Sequence, residues 1–349
     1  MKVLLCISLF LSLSLLHANT PEIAGPLTGD VRANQVTLWM YAPIKSKCTF
    51  SYRAEGSSKA DAKTGELTAL SNQAAKVPGQ ILKSTVVGLS PDTRYQYQVT
   101  IDGKADPSWK GSFKTAPLEG TPTAFRMAIT SCMHIKRAQR SWNLLLAEQP
   151  DLHLTVGDTH YADTTDPTIQ LQHHLAYRRK KEFANVLRQV PTYAIWDDHD
   201  YGPNNSDGTA EGKEFSLAGW KQAWPNPPSG TSDTPGAFFK FSRGDVDFFV
   251  VDGRYHRSPN ELPDNDKKRM LGDAQFEWLL SGLKNSKAKF KIIASGSVLH
   301  HSKVDGGAFL PFPATAFLMP SKNIRSRELC ISVGTCTNPW SGSTTSPIG

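Results

Sequence analysis

The chain has 349 residues, of which 39% are hydrophobic and 20% charged, a composition that excludes a disordered protein. This length accommodates one large domain or two ordinary ones. The formal net charge of +7 and the isoelectric point near 9.1 favour anionic ligands, although many exported proteins are simply basic.

The N-terminal residues have the pattern of a secretory signal peptide. Lys2 supplies a positive charge, an apolar run covers residues 3–16, and Ala18 is a small residue near the expected cleavage point. The run is too short to span a bilayer, which needs about 20 residues. We therefore expect a cleaved signal peptide at residues 1–18, no transmembrane segment, and a secreted or periplasmic location.

Residues 19–117 alternate between short strands and turns. Residues 36–41 and 94–99 have the period-2 pattern and the β-branched and aromatic content of strands. The stretch resembles a fibronectin type III or immunoglobulin-like β-sandwich. The resemblance implies that Trp39 fills the sandwich core and that Tyr95 forms a tyrosine corner.

A Pro- and Gly-containing linker at residues 116–123 precedes a second domain, which we place at residues 118–304. Its predicted strands are 126–131, 151–158, a strand ending at Trp196, 246–251 and 290–295. Its predicted helices are 138–148, 169–189 and 273–284. This alternation indicates an α/β layered domain.

Polar clusters follow the strands of this second domain, at residues 131–134, 157–163, 196–204 and 252–257, with His300 and His301 after a fifth strand. Ligands collect at the carboxyl ends of strands in open α/β sheets. Burying so many ionisable groups together is too costly unless metals or mutual pairing compensate. The clusters therefore predict a metal centre or an ion-pair network.

Three of these clusters carry a specific resemblance. Gly-Asp-x-x-Tyr-Ala-Asp at 157–163, Trp-Asp-Asp-His-Asp-Tyr-Gly-x-Asn at 196–204 and Asp-x-Arg at 252–254 resemble the PhoD-type alkaline phosphatases, which are calcineurin-like metallophosphatases. The resemblance covers residues 23–301. It implies an exported immunoglobulin-like domain followed by a four-layer αββα metallophosphatase domain.

The resemblance also implies a set of metal ligands. Asp158 matches the carboxylate that bridges two cations, and Cys132 and Tyr161 match ligands of a ferric ion. Taken alone, Cys132 would be interpreted as a small buried residue. We expect Fe³⁺ with Ca²⁺, with Zn²⁺ and Mn²⁺ as alternatives. The full expected ligand set is Cys132, Asp158, Tyr161, Asp198, Asn204 and His300, with His134 as a further candidate.

Two residues are predicted to act on the substrate. His199 matches the motif histidine, which can stabilise phosphoryl charge or protonate the leaving alkoxide, and its alternative is a structural histidine. Arg254 is suited to bind phosphate oxygens through its planar guanidinium. Equally, Arg254 can pair with Asp252 or another carboxylate.

The C-terminal residues 305–349 depart from the family pattern. They contain no Gly-Asp-x-His block, and no histidine follows His301. We interpret this change as a frameshift or truncation, with true divergence as the alternative. It predicts an incomplete catalytic domain, a sheet that lacks its last strands, and weak metal binding.

Three functions remain open on the sequence. The first is a metal-dependent phosphomonoesterase or phosphodiesterase, acting as a monomer on small phosphate esters or a phosphodiester polymer, without specific nucleic-acid recognition. The second is a catalytically impaired exported binding protein that retains the β-sandwich. The third is a metal hydrolase for another bond.

Overall fold

The computed structural model describes residues 23–297, apart from 138, 264 and 266, and the backbone of residues 327–332. The predicted signal peptide and most of the segment 305–349 lie outside these residues. No helix within the described part of the chain combines the length and the hydropathy that a membrane crossing requires.

The N-terminal domain consists of two four-stranded sheets that enclose an apolar core. One sheet has the order β1-β2-β6-β5 and the other the order β4-β3-β7-β8, with neighbouring strands antiparallel. The strands are β1 Ala24–Gly29, β2 Gln35–Pro43, β3 Cys48–Ala54, β4 Lys63–Glu66, β5 Thr68–Ala69, β6 Gly79–Val87, β7 Arg94–Ile101 and β8 Lys104–Lys114.

Of the two aromatic residues predicted to stabilise this sandwich, Tyr95 lies where it was expected and Trp39 does not. Tyr95 lies in the sandwich core, and its hydroxyl accepts a 2.9 Å hydrogen bond from the backbone N–H of Ser90, as expected for a tyrosine corner. The prediction for Trp39 is wrong, because its side chain packs with the core of the second domain. Its indole N–H donates to the carbonyl of Gln222 at 2.9 Å.

The second domain begins with a parallel sheet of order β11-β10-β9, formed by β9 Met127–Thr130, β10 Leu152–Val156 and β11 Thr192–Ile195. Three helices accompany it, α1 Ser141–Ala147, α2 Pro167–Arg178 and α3 Lys181–Gln189. The Asp166 carboxylate caps α2, accepting from the Thr168 N–H at 2.7 Å, and Pro167 occupies the first turn. The predicted helix 169–189 is thus two helices, separated at Arg179 and Lys180.

A second sheet has the order β12-β13-β14-β15. It contains β12 Phe239–Arg243, β13 Val246–Val251, β14 Phe290–Ser295 and β15 Arg327–Ser332, of which only β12 runs antiparallel to its neighbour. Every residue of β13 is buried, as expected for a central strand covered on both faces. The remaining helices are α4 Asp198–Tyr201, α5 Lys213–Ala223 and α6 Asp273–Asn285.

Strand β15 corrects one expectation about the C-terminal segment. It pairs in parallel with β14 from Phe290 opposite Arg327 to Ser295 opposite Ser332. The sheet therefore does not end at β14, and the prediction that no strand follows β14 in this sheet is wrong. The segment 305–349 contributes a strand to the second domain despite its unusual sequence.

The layers stack as α1–α3, first sheet, second sheet and α6. Phe241, Phe248 and Tyr193 stack between the two sheets, with ring centroids 4.0 Å apart for Tyr193–Phe241 and 4.4 Å for Phe241–Phe248. On the far side of the second sheet, Leu279 of α6 packs with Phe249. This arrangement is the predicted four-layer αββα architecture.

The boundary between the two domains is centred on Arg178 at the end of α2. Its guanidinium carbon lies 4.4 Å from the Trp39 ring of the sandwich and 4.4 Å from the Trp224 ring of the second domain. Because Arg178 is 2% exposed, burial lowers the pKa of its side chain to about 9. Cation–π stacking thus joins the domains through a desolvated cation.

We predict that Trp39→Ala weakens this boundary. Truncating a buried tryptophan costs about 3–5 kcal/mol of unfolding free energy, and here it also removes one face of the Arg178 stack. Denaturant unfolding should show this loss and a separation of the two domain transitions. Trp109→Ala, within the sandwich, is the matched control and should leave the second domain's transition unchanged. A single transition with a loss below about 1 kcal/mol in Trp39→Ala would contradict the prediction.

Candidate metal centre and active site

The loops after β9, β10 and β11 meet at the carboxyl edge of the first sheet, where the second sheet also ends. Gly157 makes this approach possible: its φ is 86°, and a Cβ atom there would lie 2.5 Å from the Cβ of Asp197. Gly296, after β14, is equally confined, since its Cβ would lie 2.4 Å from the carbonyl oxygen of Trp196. Two glycines therefore let the strand ends of both sheets converge.

Three predicted residues form the centre of the site. Single ligand atoms of Asp158, Asp198 and His199 all lie within 4.8 Å of one another. Asp158 and Asp198 are 2% and 1% exposed, and one oxygen of each, Oδ1, has no hydrogen-bond partner. Burial, followed by the charges of neighbouring aspartates, raises the pKa of Asp158 to about 9. A bound cation would compensate this burial, so the donor set fits a metal centre.

Two further donor groups lie beside the other oxygen of Asp158. The thiol of Cys132 lies 3.5 Å from Asp158 Oδ2, and the hydroxyl of Tyr161 lies 3.4 Å from the same atom. Cys132 and Asp158 both have a φ of 53°, a conformation that non-glycine residues rarely adopt. Burial and the nearby Asp158 raise the pKa of Tyr161, so its ionisation at neutral pH requires a cation.

Arg254 neutralises the carboxylates behind this cluster. Its Nε donates to Asp197 Oδ1 at 2.6 Å, and its Nη2 lies 3.6 Å from Asp198 Oδ1. The side chain is completely buried, and the Ser297 hydroxyl donates to the same Asp197 oxygen at 2.5 Å. This geometry favours the carboxylate-pairing alternative for Arg254 over direct phosphate contact. The partner is Asp197, while Asp252 accepts from the Arg254 backbone N–H at 2.9 Å.

The carboxylate of Asp163 holds the ring of His199 in place. Its Nδ1 lies 2.5 Å from Asp163 Oδ1, and its ring packs against that of Tyr161 with centroids 4.3 Å apart. The side chain of His199 is 16% exposed, so it borders the solvent-facing side of the cluster. With Nδ1 engaged as a donor to Asp163, Nε2 is the nitrogen left to exchange a proton with a substrate.

A family profile described as PhoD-like phosphatase matches residues 127–311, more than half of the chain. The chain belongs to the PhoD-like phosphatase family. The matched residues include every strand and loop described above for the site. No curated protein matches the sequence.

Two solved structures are similar in fold. A structure of PhoD aligns with a TM-score of 0.68 at 17% identity, covering 89% of this chain and 70% of that one. The purple acid phosphatase PPD1 from yellow lupin (Lupinus luteus) seeds aligns with a TM-score of 0.60 at 14% identity, covering 83% of this chain and 54% of that one. At these identities the similarity shows the shared metallophosphatase fold.

Not every residue expected from the family pattern reaches the cluster. Asn204 is exposed, and the backbone N–H of its neighbour Asn205 instead donates to Asp198 Oδ2 at 2.7 Å. His134 lies beside Tyr161, with ring centroids 5.1 Å apart. His300 lies outside the described residues. Asn204 is therefore not positioned as a metal ligand in this structure. It could bind a metal at this site only if its turn rearranged.

Three aspartates at the site, Asp163, Asp197 and Asp200, were not predicted from the sequence to have a role there. Asp197 receives Arg254, Asp163 holds His199, and Asp200 accepts the Thr159 N–H, the Thr159 hydroxyl and the His160 N–H at 2.6–3.0 Å. Burial raises the pKa of Asp200 to about 7. All three lie within the first two of the three family motifs, and their place in these motifs is the sequence signal that could have identified them.

The buried ion pair between Arg254 and Asp197 allows a direct test of the role of Arg254. In Arg254→Gln the side chain can still donate a hydrogen bond, but the charge that balances Asp197 and Asp198 is lost. Breaking a buried ion pair from one side costs about 3–5 kcal/mol. Urea unfolding of the metal-free protein should reveal this loss. Wild-type stability together with a raised KM would instead identify Arg254 as a phosphate-binding residue.

Proposed function

We propose that this chain is an exported, metal-dependent phosphoesterase of the PhoD type. The observation that carries the proposal is the buried cluster of Asp158, Asp198 and His199, in which Oδ1 of Asp158 has no hydrogen-bond partner. Membership of the PhoD-like phosphatase family supports phosphate-ester hydrolysis. The pattern at residues 1–18 supports export, and the sandwich is proposed to be an immunoglobulin or fibronectin III-like accessory domain.

Asp158, Asp198, Cys132 and Tyr161 are the residues that would hold the metals. When bound, the metals polarise a phosphoryl oxygen and lower the pKa of water at the site. A thiol and a phenol beside one carboxylate oxygen favour Fe³⁺, since both donate strongly to ferric iron. We propose Ca²⁺ as the second ion, with Zn²⁺ and Mn²⁺ as alternatives.

The protein's own contribution to the reaction falls mainly to His199. Its protonated Nε2 would donate a proton to the leaving alkoxide, while Asp163 fixes the ring and stabilises its positive charge. Arg254 and Ser297 hold Asp197, which keeps the loop bearing Asp198 and His199 in place. We expect small phosphate monoesters and diesters as substrates and a monomeric enzyme.

The first test separates metal binding from proton transfer. Asp158→Asn should abolish both metal content and turnover of an aryl phosphate, because it removes the central carboxylate. His199→Ala should keep the metal and lower kcat by about 10²–10⁴-fold, the usual contribution of a general acid. Metal analysis and steady-state kinetics on the same preparations provide the measurement. Equal metal loss in both variants would refute this division of roles.

The second test concerns Asp163. Asp163→Asn should lower kcat by about 10–100-fold, as for other residues that orient a histidine at a metal site. Asp166→Asn, which alters only the cap of α2, is the matched control for an exposed aspartate. Unchanged kcat in Asp163→Asn, or a loss shared by the control, would show that the Asp163–His199 contact has no catalytic role.

The third test identifies the metal. If Cys132 and Tyr161 bind ferric iron, the purified protein should contain iron and show a visible charge-transfer band. Tyr161→Phe should shift or remove that band. An active but colourless, iron-free protein would point to a zinc or manganese centre. Full metal content with no turnover of monoester or diester would favour the alternative function, an exported binding protein.

A further inference from the structure

A basic groove lies on the β-sandwich, outside the metal centre. Its volume is about 900 Å³, and it runs along the outer face of the sheet β4-β3-β7-β8 to the end of α3. Four cationic side chains line it: Arg53, Lys59, Lys110 and Arg188. Among the described residues that line the groove there is no carboxylate. A concave surface of one charge attracts ligands of the opposite charge.

The floor of the groove is built by strand register. Ser51, Gln98 and Lys110 form one row across β3, β7 and β8. A second row contains Arg53, Gln96 and Ser112. It is displaced from the first row by two residues, toward the end of β3 and β8 and toward the start of the antiparallel strand β7. The alternate residues of these strands, such as Phe50, Val99 and Phe113, are buried in the sandwich core. Both polar rows therefore face outward.

The two rows place their cations at opposite corners. Strands about 4.8 Å apart put the backbone positions of Arg53 and Lys110 about 10 Å apart across the sheet, and the rows lie about 7 Å apart along it. Gln96 and Gln98 lie between them. An extended chain of anionic groups can contact cations spread over such a surface one after another.

Hydrogen bonds fix the two arginine side chains of the groove, whereas the two lysine side chains are exposed. Arg53 donates to the Ser57 carbonyl at 2.6 Å and to Gln96 Oε1 at 3.1 Å, and Arg188 donates to the Ser108 carbonyl at 3.0 Å. Lys59 and Lys110 are exposed. Three acidic residues near the groove have partners of their own. Asp61 accepts from the Ser58 N–H at 2.9 Å, and Asp106 accepts from the Ser108 hydroxyl at 2.5 Å. Glu55 lies 3.7 Å from Arg94 and accepts from Gln96 Nε2 at 3.5 Å.

We propose that this groove binds a linear polyanion, a chain of phosphate or carboxylate groups, independently of the metal centre. Arg53 and Arg188 provide fixed positive charge, and Lys59 and Lys110 adapt to the spacing of the anionic groups. The sandwich then retains the enzyme on an anionic polymer while the second domain carries the metal centre.

The test is the binding of fluorescently labelled inorganic polyphosphate to the full chain, followed by anisotropy at low salt. The double variant Lys59→Gln/Lys110→Gln should weaken binding about tenfold or more and reduce the salt dependence of the affinity. Lys104→Gln/Lys287→Gln, which removes two exposed lysines outside the groove, is the charge-matched control and should bind as the wild type does. Asp158→Asn should also bind normally.

Competition with polygalacturonate, and with neutral dextran as a blank, distinguishes phosphate from carboxylate polymers. A competitor that displaces polyphosphate at similar concentration shows that the groove accepts both groups. Equal weakening in the groove and control variants would overturn the proposal, since net charge alone would then explain binding. Failure of the wild type to bind either polymer would also overturn it, and neither result depends on phosphatase activity.

Discussion

The fold must bury four aspartates at one sheet edge, and most of the surrounding structure follows from this requirement. Asp158, Asp197, Asp198 and Asp200 are each 1–2% exposed. Asp200 is stabilised by hydrogen-bond donors from the loop after β10, and Asp197 by Arg254 and Ser297. Oδ1 of Asp158 and Oδ2 of Asp197 have no hydrogen-bond partner, and Oδ1 of Asp198 lies 3.6 Å from the Arg254 guanidinium. The single positive charge of Arg254 offsets only part of the charge of these carboxylates, and a bound metal ion would compensate the rest.

Backbone geometry at the strand ends is the second consequence. The left-handed conformations of Cys132, Gly157 and Asp158 turn the chain sharply as it leaves the sheet. These turns direct a thiol and a carboxylate toward the same point from neighbouring strands. Such conformations are unfavourable in isolation and persist where the surrounding structure holds them. Here the packed edges of the two sheets provide that support.

The β-sandwich interacts with the second domain through one face and presents another to solvent. Trp39 projects from β2 into the core of the second domain, so an aromatic residue that would stabilise an isolated sandwich instead joins two domains. The sheet β4-β3-β7-β8 keeps its outer face polar and basic. The sandwich is therefore a structural partner of the catalytic domain as well as a surface with its own charge pattern.

The sequence by itself determined the elements with strong periodicity and the identity of the central site residues. Strands 246–251 and 290–295 match the structure because both segments are rich in β-branched and aromatic residues. Two of the three family motifs contain Asp158, Asp198 and His199. Tertiary structure decided what depends on contacts distant in the chain. It placed Trp39 at the domain boundary, split the helix at Arg179, covered β14 with β15, and paired Asp163 with His199 and Arg254 with Asp197. Local propensity carries no information on such partners, because the free energy of burying a charge or a ring depends on what the fold places beside it.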